Sequence, residues 1–155
     1  MLKGDIMSIK FMQGSVFKTK APIIAHQVNN LGIMGAGVAK QIKEKYPEAY
    51  QTYASTYKLY RLGDVLFTHT NQGLIIANCF SQSGISRSHM TTDYDSFWMC
   101  MHNLERFMKE WGIDKVAIPY KMGCGLAGGD WKNEVFPIIK DVFSKSDKII
   151  EIWRL

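Results

Sequence analysis

Residues 26–40, HQVNNLGIMGAGVAK, decide the fold of this chain. The segment just before them, PIIA at 22–25, is an apolar run typical of a buried strand. After the glycines, apolar side chains recur at helical spacing, at Val38, Ala39, Ile42 and Tyr46. A strand that runs into a glycine-rich loop and then into a helix brings backbone N–H groups and the positive end of a helix dipole to one point. The stretch therefore predicts a loop that binds phosphate.

The bulk composition predicts one globular domain over residues 1–155. Hydrophobic residues make up 46% of the chain and charged residues 21%, which are ordinary values for such a domain. Three cysteines without CxxC spacing suit reduced thiols, and no apolar run is long enough to span a membrane, so we expect a cytoplasmic protein. The net charge of +5 favours an anionic ligand. Because the basic residues are scattered, a nucleic-acid partner is not expected.

Predicted strands and helices alternate along the chain. Strands are predicted over residues 6–12, 23–28, 63–70, 73–80, 115–119 and 149–153. Helices are predicted over 38–46, over 47–60, from a cap at Thr91 or Thr92 to Trp111, and over 131–144 with a kink or split at Pro137. The polar stretch 81–89 is predicted as a surface loop. This order predicts an α/β sandwich with helices on both faces of a mixed sheet, where ligands bind outside the carboxyl ends of the strands.

A second glycine-rich stretch, GCGLAGGDW at 123–131, lies at the same predicted edge. Four glycines fall within residues 123–129, whereas an inert turn needs one or two. We therefore favour a second anion-binding loop between a strand and a helix. Two such loops on neighbouring strands could hold two linked phosphates.

Together these motifs resemble a macrodomain, the ADP-ribose-binding fold, over nearly the whole chain. Residues 26–30 followed by 34–37 are the strongest local match, and 118–119 leading into 123–126 are the next. Within the family, the chain resembles the small single-domain branch with ADP-ribose-1''-phosphate phosphatases and terminal ADP-ribose protein glycohydrolases. The resemblance implies a three-layer α/β/α sandwich that takes ADP-ribose or its derivatives, with an ADP-ribosylated protein as a further candidate partner and with no cofactor or metal.

The resemblance also implies a set of ligand contacts. Residues 35–38 would lie against the distal ribose and its phosphate, and residues 123–127 would surround the diphosphate with backbone amides. Asn30 would contact the distal ribose beside Asn29. Trp153 could stack on adenine or pack in the core. The predicted ligand-binding residues are Asn29, Asn30, Gly35, Ala36, Gly37, Val38, Ser81, Gly123, Cys124, Gly125, Leu126, Ala127 and Trp153.

Two titratable residues are predicted to act near the distal ribose. Asp130 could direct or replace a water molecule, and it could also cap the helix that begins at Trp131. His26 could donate a proton to the leaving group, or it could be a satisfied histidine of the core. Cys124 is a weaker candidate nucleophile, because the resemblance implies a backbone contact at that position.

Two positions depart from the family pattern. Many macrodomains carry Gly-Asp after the first strand, where this chain has Gly14-Ser15, so its preference for adenine is open. The glycohydrolase branch forms a sugar adduct with a lysine after the middle strand, and residues 80–84 contain no lysine. We therefore expect no lysine adduct.

We predict a hydrolase that removes a substituent from the distal ribose, with the phosphate of ADP-ribose-1''-phosphate preferred over an ester-linked protein or acetyl group. The alternative is a reader that binds ADP-ribose without turnover.

Other classes of site fit the sequence less well. The segment 35–40 resembles a dinucleotide fingerprint but has Lys40 at the third glycine position, and no acidic residue ends a strand about twenty residues later. A Rossmann dehydrogenase is therefore not expected. The four histidines show no metal-ligand spacing.

Overall fold

The structure, a computed structural model, describes residues 8–155 and contains one six-stranded sheet. Its strands are β1 (Ser8–Gln13), β2 (Ile23–Asn29), β3 (Val65–His69), β4 (Ile75–Gln82), β5 (Lys115–Pro119) and β6 (Ile149–Arg154). They lie in the order β1-β6-β5-β2-β4-β3, and only the β3–β4 pair is antiparallel. The predicted mixed sheet is confirmed. The first predicted strand began at Ile6, and residues 6–7 lie outside the described residues.

Four α-helices cover the two faces of the sheet. They are α1 (Gly37–Lys45), α2 (Pro47–Thr56), α3 (Tyr94–Trp111) and α4 (Phe136–Phe143), and short 3-10 turns lie at Val16–Lys18 and Tyr57–Leu59. One core lies between the sheet and α3 with α4, and a second core lies between the sheet and α1 with α2. Successive residues of β2 alternate between the two cores, because side chains of a strand point to opposite faces. The predicted three-layer sandwich is thus confirmed.

The tyrosines of the second predicted helix pack against the sheet, as their spacing indicates. Tyr53 is completely buried, and its ring centroid lies 5.7 Å from that of Phe80. Tyr60 stacks on the same ring at 5.1 Å. The α-helix itself ends at Thr56, earlier than predicted, and the chain continues as a 3-10 turn to Leu59.

Two boundaries differ from the prediction around the polar stretch 81–89. Ser81 lies inside β4 and is fully buried, and its hydroxyl finds a hydrogen-bond partner in Gln27 on the neighbouring strand. The cap of α3 is Asp93, whose carboxylate accepts the N–H of Ser96 at 3.0 Å. The predicted caps Thr91 and Thr92 are wrong, because these residues precede the helix and Thr92 forms a bridge with β4.

The predicted split at Pro137 is confirmed. Residues Trp131–Val135 form a single π-helical turn, and α4 begins at Phe136 with Pro137 in its first turn. Proline is tolerated there because the N–H that it lacks would have no partner within the helix.

In residues 8–155, none of the helices has the length and apolar character needed to cross a membrane.

Candidate functional site

Both glycine-rich loops open onto one cavity of about 470 Å³ at the edge where the parallel strands end. Four parts of the chain build its wall: the end of β2, the loop into α1, the segment after β4, and the segment after β5. The lining residues are 26–29, 33, 35–39, 82, 85–87, 119–123 and 125–127. The structure thus places the two loops side by side.

The first turn of α1 faces this cavity with its N–H groups uncapped by any side chain. Ala36 precedes the helix in an extended conformation, and its side chain makes no capping hydrogen bond. Gly37 has a φ of 59°, and a Cβ added there would meet no atom within 4 Å. Open space therefore lies beside the helix N-terminus, where free N–H groups and the helix dipole favour an anion.

The shape of the loop into α1 depends on one buried side chain, Asn29. Its Oδ1 accepts the N–H groups of Leu31 at 2.9 Å and Ile33 at 3.3 Å, and its Nδ2 donates to the Ile33 carbonyl at 2.7 Å. The Tyr53 hydroxyl lies 2.8 Å from the same Oδ1. Asn29 lines the cavity, but these bonds occupy its polar atoms. Its evident role is to shape the loop.

Asn30 connects this loop to the segment after β4. Its Oδ1 accepts the N–H of Gly84 at 2.9 Å, and its own N–H donates to the Gln82 carbonyl at 3.2 Å. The bond to Gly84 holds the segment 83–90 beside the loop, and Ile85, Ser86 and Arg87 of that segment line the cavity. Asn30 itself does not line it.

The second loop is closed by contact between its own backbone atoms. The Gly129 N–H donates to the Gly123 carbonyl at 2.9 Å, and a Cβ on Gly129 would lie only 2.6 Å from that oxygen. Gly123 has a φ of 76°, and a Cβ there would lie 2.9 Å from Gln27 Oε1. Gly125, in contrast, borders open space. Two of the predicted glycines are therefore required by packing, whereas Gly125 borders the space available to a ligand.

A chain of hydrogen bonds runs from β4 through β2 to the second loop. Ser81 Oγ donates to Gln27 Oε1 at 2.7 Å, and Gln27 Nε2 donates to Thr92 Oγ1 at 3.0 Å. Thr92 Oγ1 then donates to the Gly123 carbonyl at 2.6 Å. Ser81 does not line the cavity, so it can act only through Gln27. Gln27 and Thr92 were not predicted as site residues, although a polar residue inside the apolar run of β2 was an available signal.

Asp130 does not lie on the cavity wall. Its Oδ1 accepts the Asn133 N–H at 3.0 Å and its Oδ2 accepts Asn133 Nδ2 at 2.9 Å, so it caps the turn that follows the loop. These bonds lower the pKa of the Asp130 carboxyl below its ordinary value. The structure thus gives Asp130 the capping role, the second of its two predicted roles, and does not bring its carboxylate to the cavity.

His26 lies on the cavity floor with the surroundings of a core histidine. It is 2% exposed, and its Nε2 lies 2.5 Å from Asn78 Oδ1 on the neighbouring strand. Burial lowers its pKa to about 4, although the bond to Asn78 opposes that shift. The imidazole is therefore neutral at neutral pH and carries no extra proton to donate. This position favours the core interpretation over the predicted acid.

Cys124 and Trp153 also lie off the cavity wall. Burial raises the pKa of the Cys124 thiol to about 11, and the negative charge of the Asp130 carboxylate shifts it in the same direction. The thiol is therefore protonated at neutral pH and poorly suited to nucleophilic attack. The Trp153 indole donates to Glu151 Oε1 at 2.9 Å and packs beside the core under α1 and α2. The structure favours the packing alternative for this tryptophan.

Two cations, Arg87 and Lys121, line the cavity, and no aspartate or glutamate is among its lining residues in the described chain. Neither cation was predicted as a site residue. Three apolar side chains of the wall are also well exposed: Ile33 at 49%, Ile85 at 51% and Leu126 at 62%. Such a surface suits a ligand that combines negative charge with an apolar ring face.

Within residues 8–155, no group of three or more histidine, cysteine, aspartate or glutamate side chains is arranged to hold a metal ion. The described part of the site therefore consists of backbone amides, two cations and uncharged side chains.

The family model described as Macro domain matches residues 25–136, which is more than half of the chain. This chain therefore belongs to the macrodomain family. Its fold matches the macrodomain of Mycobacterium tuberculosis DarG with a TM-score of 0.84, covering 96% of this chain and 99% of that one at 24% identity.

Two curated relatives carry the names of enzymes that act on ADP-ribose derivatives. The DNA ADP-ribosyl glycohydrolase of Mycobacterium tuberculosis is 27% identical over 129 residues, which are 81% of this chain and 36% of that protein. The ADP-ribose 1''-phosphate phosphatase of Aspergillus oryzae is 40% identical over 55 residues, which are 35% of this chain and 27% of that protein. The chain thus aligns with less than half the length of the curated relatives it matches.

Proposed function

We propose that this macrodomain binds an ADP-ribose derivative in the cavity and hydrolyses a substituent on the distal ribose, with the phosphate of ADP-ribose-1''-phosphate as the preferred leaving group. One observation carries the proposal. The uncapped N-terminus of α1 and the second glycine-rich loop border the same cavity, whose described wall has two cations and no carboxylate. Such a wall favours a ligand with negative charge at its centre.

The diphosphate would lie between residues 35–38 and residues 123–127. Each segment can offer backbone N–H groups, and the glycines at 37 and 125 leave space for oxygen atoms to approach them. Ile33, Ile85 and Leu126 would then cover the uncharged parts of the ligand. The cavity volume of about 470 Å³ is within the range of small-molecule sites.

Turnover is supported by the names of the two curated relatives and by the cations of the wall. A phosphate that leaves the distal ribose carries negative charge, which Arg87 and the amides of α1 could stabilise. Because Asp130 caps a turn away from the wall, the proposal does not depend on it. The chemistry that the wall supports is stabilisation of the leaving group.

A reader without turnover is the second candidate, and one observation favours it. No lining residue is a carboxylate, and burial lowers the pKa of the one lining histidine to about 4, which makes it a weak base, so the described wall offers no strong base to activate water. A reader would use the same contacts to the diphosphate and release no product.

Two experiments with the purified protein separate these candidates. Calorimetric titration should show binding of ADP-ribose that is tighter than binding of AMP or NAD. Phosphate release from ADP-ribose-1''-phosphate should exceed the uncatalysed rate and should persist in Asp130→Ala. Binding without release on phosphate and ester conjugates would support the reader, and failure to bind ADP-ribose would contradict both functions.

A substitution pair links the result to the cavity. Gly37→Ala and Gly73→Ala both place a Cβ at a positive φ, of 59° and 83°, with no atom within 4 Å. Gly37 begins α1 at the cavity, whereas Gly73 lies in the turn between β3 and β4. The backbone strain is therefore similar, and only Gly37→Ala should weaken binding of ADP-ribose.

A further inference from the structure

Lys121 has an unusual backbone conformation for a lysine. Among residues 8–155 it is the one non-glycine residue with a positive φ, which is 61°. An L-residue in this left-handed region brings its Cβ close to the following carbonyl oxygen, so the conformation is disfavoured. A glycine would adopt it without this penalty. Strain of this kind persists where the surrounding structure enforces it, and it occurs often at functional sites.

The backbone on both sides of Lys121 enforces this conformation. The Tyr120 N–H donates to the Trp153 carbonyl of β6 at 2.7 Å, and the Met122 N–H donates to the Pro119 carbonyl at 3.1 Å. The Cys124 N–H donates to the carbonyl of Lys121 itself at 2.8 Å. The turn between β5 and the second loop is therefore fixed, and the side chain of Lys121 leaves it at a defined place.

That place is the cavity wall, immediately before the glycine-rich loop. Lys121 is exposed and lines the cavity, and its Nζ lies 5.6 Å from the centroid of the Tyr120 ring. In residues 8–155, no carboxylate lies within 4.0 Å of this ammonium. An ammonium held at an anion-binding cavity without a carboxylate partner in the described chain is available to a bound ligand.

We propose that Lys121 is a ligand-binding residue, whose ammonium pairs with an oxygen of the ligand's diphosphate while the strained turn holds it at the cavity. The inference rests on the proposed binding of ADP-ribose. It assigns to one side chain a contact that the glycine-rich loops alone would leave to backbone amides. The ligand class that it favours is a nucleoside diphosphate, with or without the distal ribose.

Three substitutions at this position separate charge from strain. Lys121→Ala removes the charge and keeps the Cβ, Lys121→Gly removes both, and Lys121→Arg keeps both. Lys145→Ala is the matched control, because it removes one positive charge from an exposed residue of the turn between α4 and β6, at the opposite edge of the sheet. Affinity for ADP-ribose and for ADP is measured by calorimetry at low and high salt, and the melting temperature of each variant is recorded.

We expect Lys121→Ala and Lys121→Gly to bind both ligands about tenfold more weakly than the wild type, since a charge-assisted contact is lost. Their affinity should also depend less on salt. Lys121→Arg and Lys145→Ala should bind within about twofold of the wild type. Lys121→Gly should melt at a higher temperature than Lys121→Ala, because the glycine relieves the left-handed strain.

Wild-type affinity in Lys121→Gly would overturn the inference, because the residue would then only shape the turn. Equal melting temperatures for the alanine and glycine variants would contradict the strained turn on which the inference depends. If the wild type itself binds neither ligand, the proposed function fails first. A wild type that binds, with variants that bind equally well, refutes the role of Lys121 alone.

Discussion

The two loops at the cavity are built in different ways. The loop into α1 takes its shape from a side chain, since the amide of Asn29 bonds to Leu31 and Ile33. The second loop takes its shape from the absence of side chains, since a Cβ on Gly129 would lie 2.6 Å from the Gly123 carbonyl oxygen and one on Gly123 would lie 2.9 Å from Gln27 Oε1. The glycines of the two loops therefore serve two different purposes. Gly37 and Gly125 border space for a ligand, whereas Gly123 and Gly129 serve packing.

The largest effect on ADP-ribose affinity is expected from Gly129→Val in the second loop. Its Cβ would lie 2.6 Å from the Gly123 carbonyl oxygen, so the loop must open. Overpacking of this kind costs about 1–3 kcal/mol of unfolding free energy. Loss of several amide contacts of about 1 kcal/mol each should weaken ADP-ribose binding about a hundredfold. Thermal denaturation and calorimetry measure the two effects.

Gly125→Ala is the matched control for stability, because a Cβ there would meet no atom within 4 Å and φ is not in the left-handed region. It should change the unfolding free energy by no more than about 0.5 kcal/mol. A Gly129→Val protein with wild-type stability and affinity would show that the loop is not closed by this contact.

The next effect is expected from Asn29→Ala in the first loop. The substitution leaves two backbone N–H groups and the Ile33 carbonyl without their partner, and we expect a loss of about 2–3 kcal/mol in unfolding free energy. ADP-ribose should bind about tenfold more weakly, because the start of α1 is no longer fixed. Tyr53→Phe removes only the hydroxyl, which lies 2.7 Å from the Asn29 carbonyl oxygen and 2.8 Å from Asn29 Oδ1, and should cost about 1 kcal/mol. Equal losses in the two variants would contradict the organising role of Asn29.

A smaller effect is expected where Thr92 joins β2 to the second loop. Thr92→Val removes the hydroxyl that links Gln27 to the Gly123 carbonyl, and should cost about 1–2 kcal/mol of unfolding free energy. Thr68→Val is the same substitution at a buried hydroxyl that has no hydrogen-bond partner in the described structure. It should be neutral or stabilising by up to about 1 kcal/mol. Chemical denaturation of both variants measures the difference in unfolding free energy. Equal losses would show that the hydrogen bonds of Thr92 do not stabilise the protein.

The smallest effect is expected at the end of the second loop. Hydrogen bonds from Asn133 lower the pKa of Asp130 below its unfolded value near 3.8. The contribution of Asp130 to stability is therefore complete above that pH and is lost as the pH falls through the lowered pKa. Asp130→Asn should flatten this acid dependence of the melting temperature, measured against the wild type over the acid range. If the melting temperature of Asp130→Asn depends on acid as the wild type does, the cap does not contribute to stability.

The fold was predictable because its signals are local. The apolar runs of β2 and β5 and the proline at the start of α2 each lie within a few residues of the structure that they determine. Ser81 was predicted to lie in the surface loop, because a serine next to the polar stretch that follows looks like part of that stretch. Its partner Gln27 lies 54 positions away, which no local pattern reveals.

The site was predictable only in part, because its wall combines distant segments. The residues 35–38 and most of 123–127 were found from their glycines, and they do line the cavity. Arg87 and Lys121 were missed because they lack a motif, and only the fold brings both to the wall. Asp130 and His26 were proposed as reacting groups from residue type, whereas capping and burial determine their actual surroundings.

The central claim is that both loops hold one diphosphate in the shared cavity. A titration of the isotopically labelled protein with ADP-ribose, followed by amide NMR shifts, tests it most directly. We predict that the largest shifts fall on the amides of residues 35–38 and of residues 123–127, at the same ligand concentration. Shifts confined to one loop, or centred on the outer strand β3, would contradict the claim.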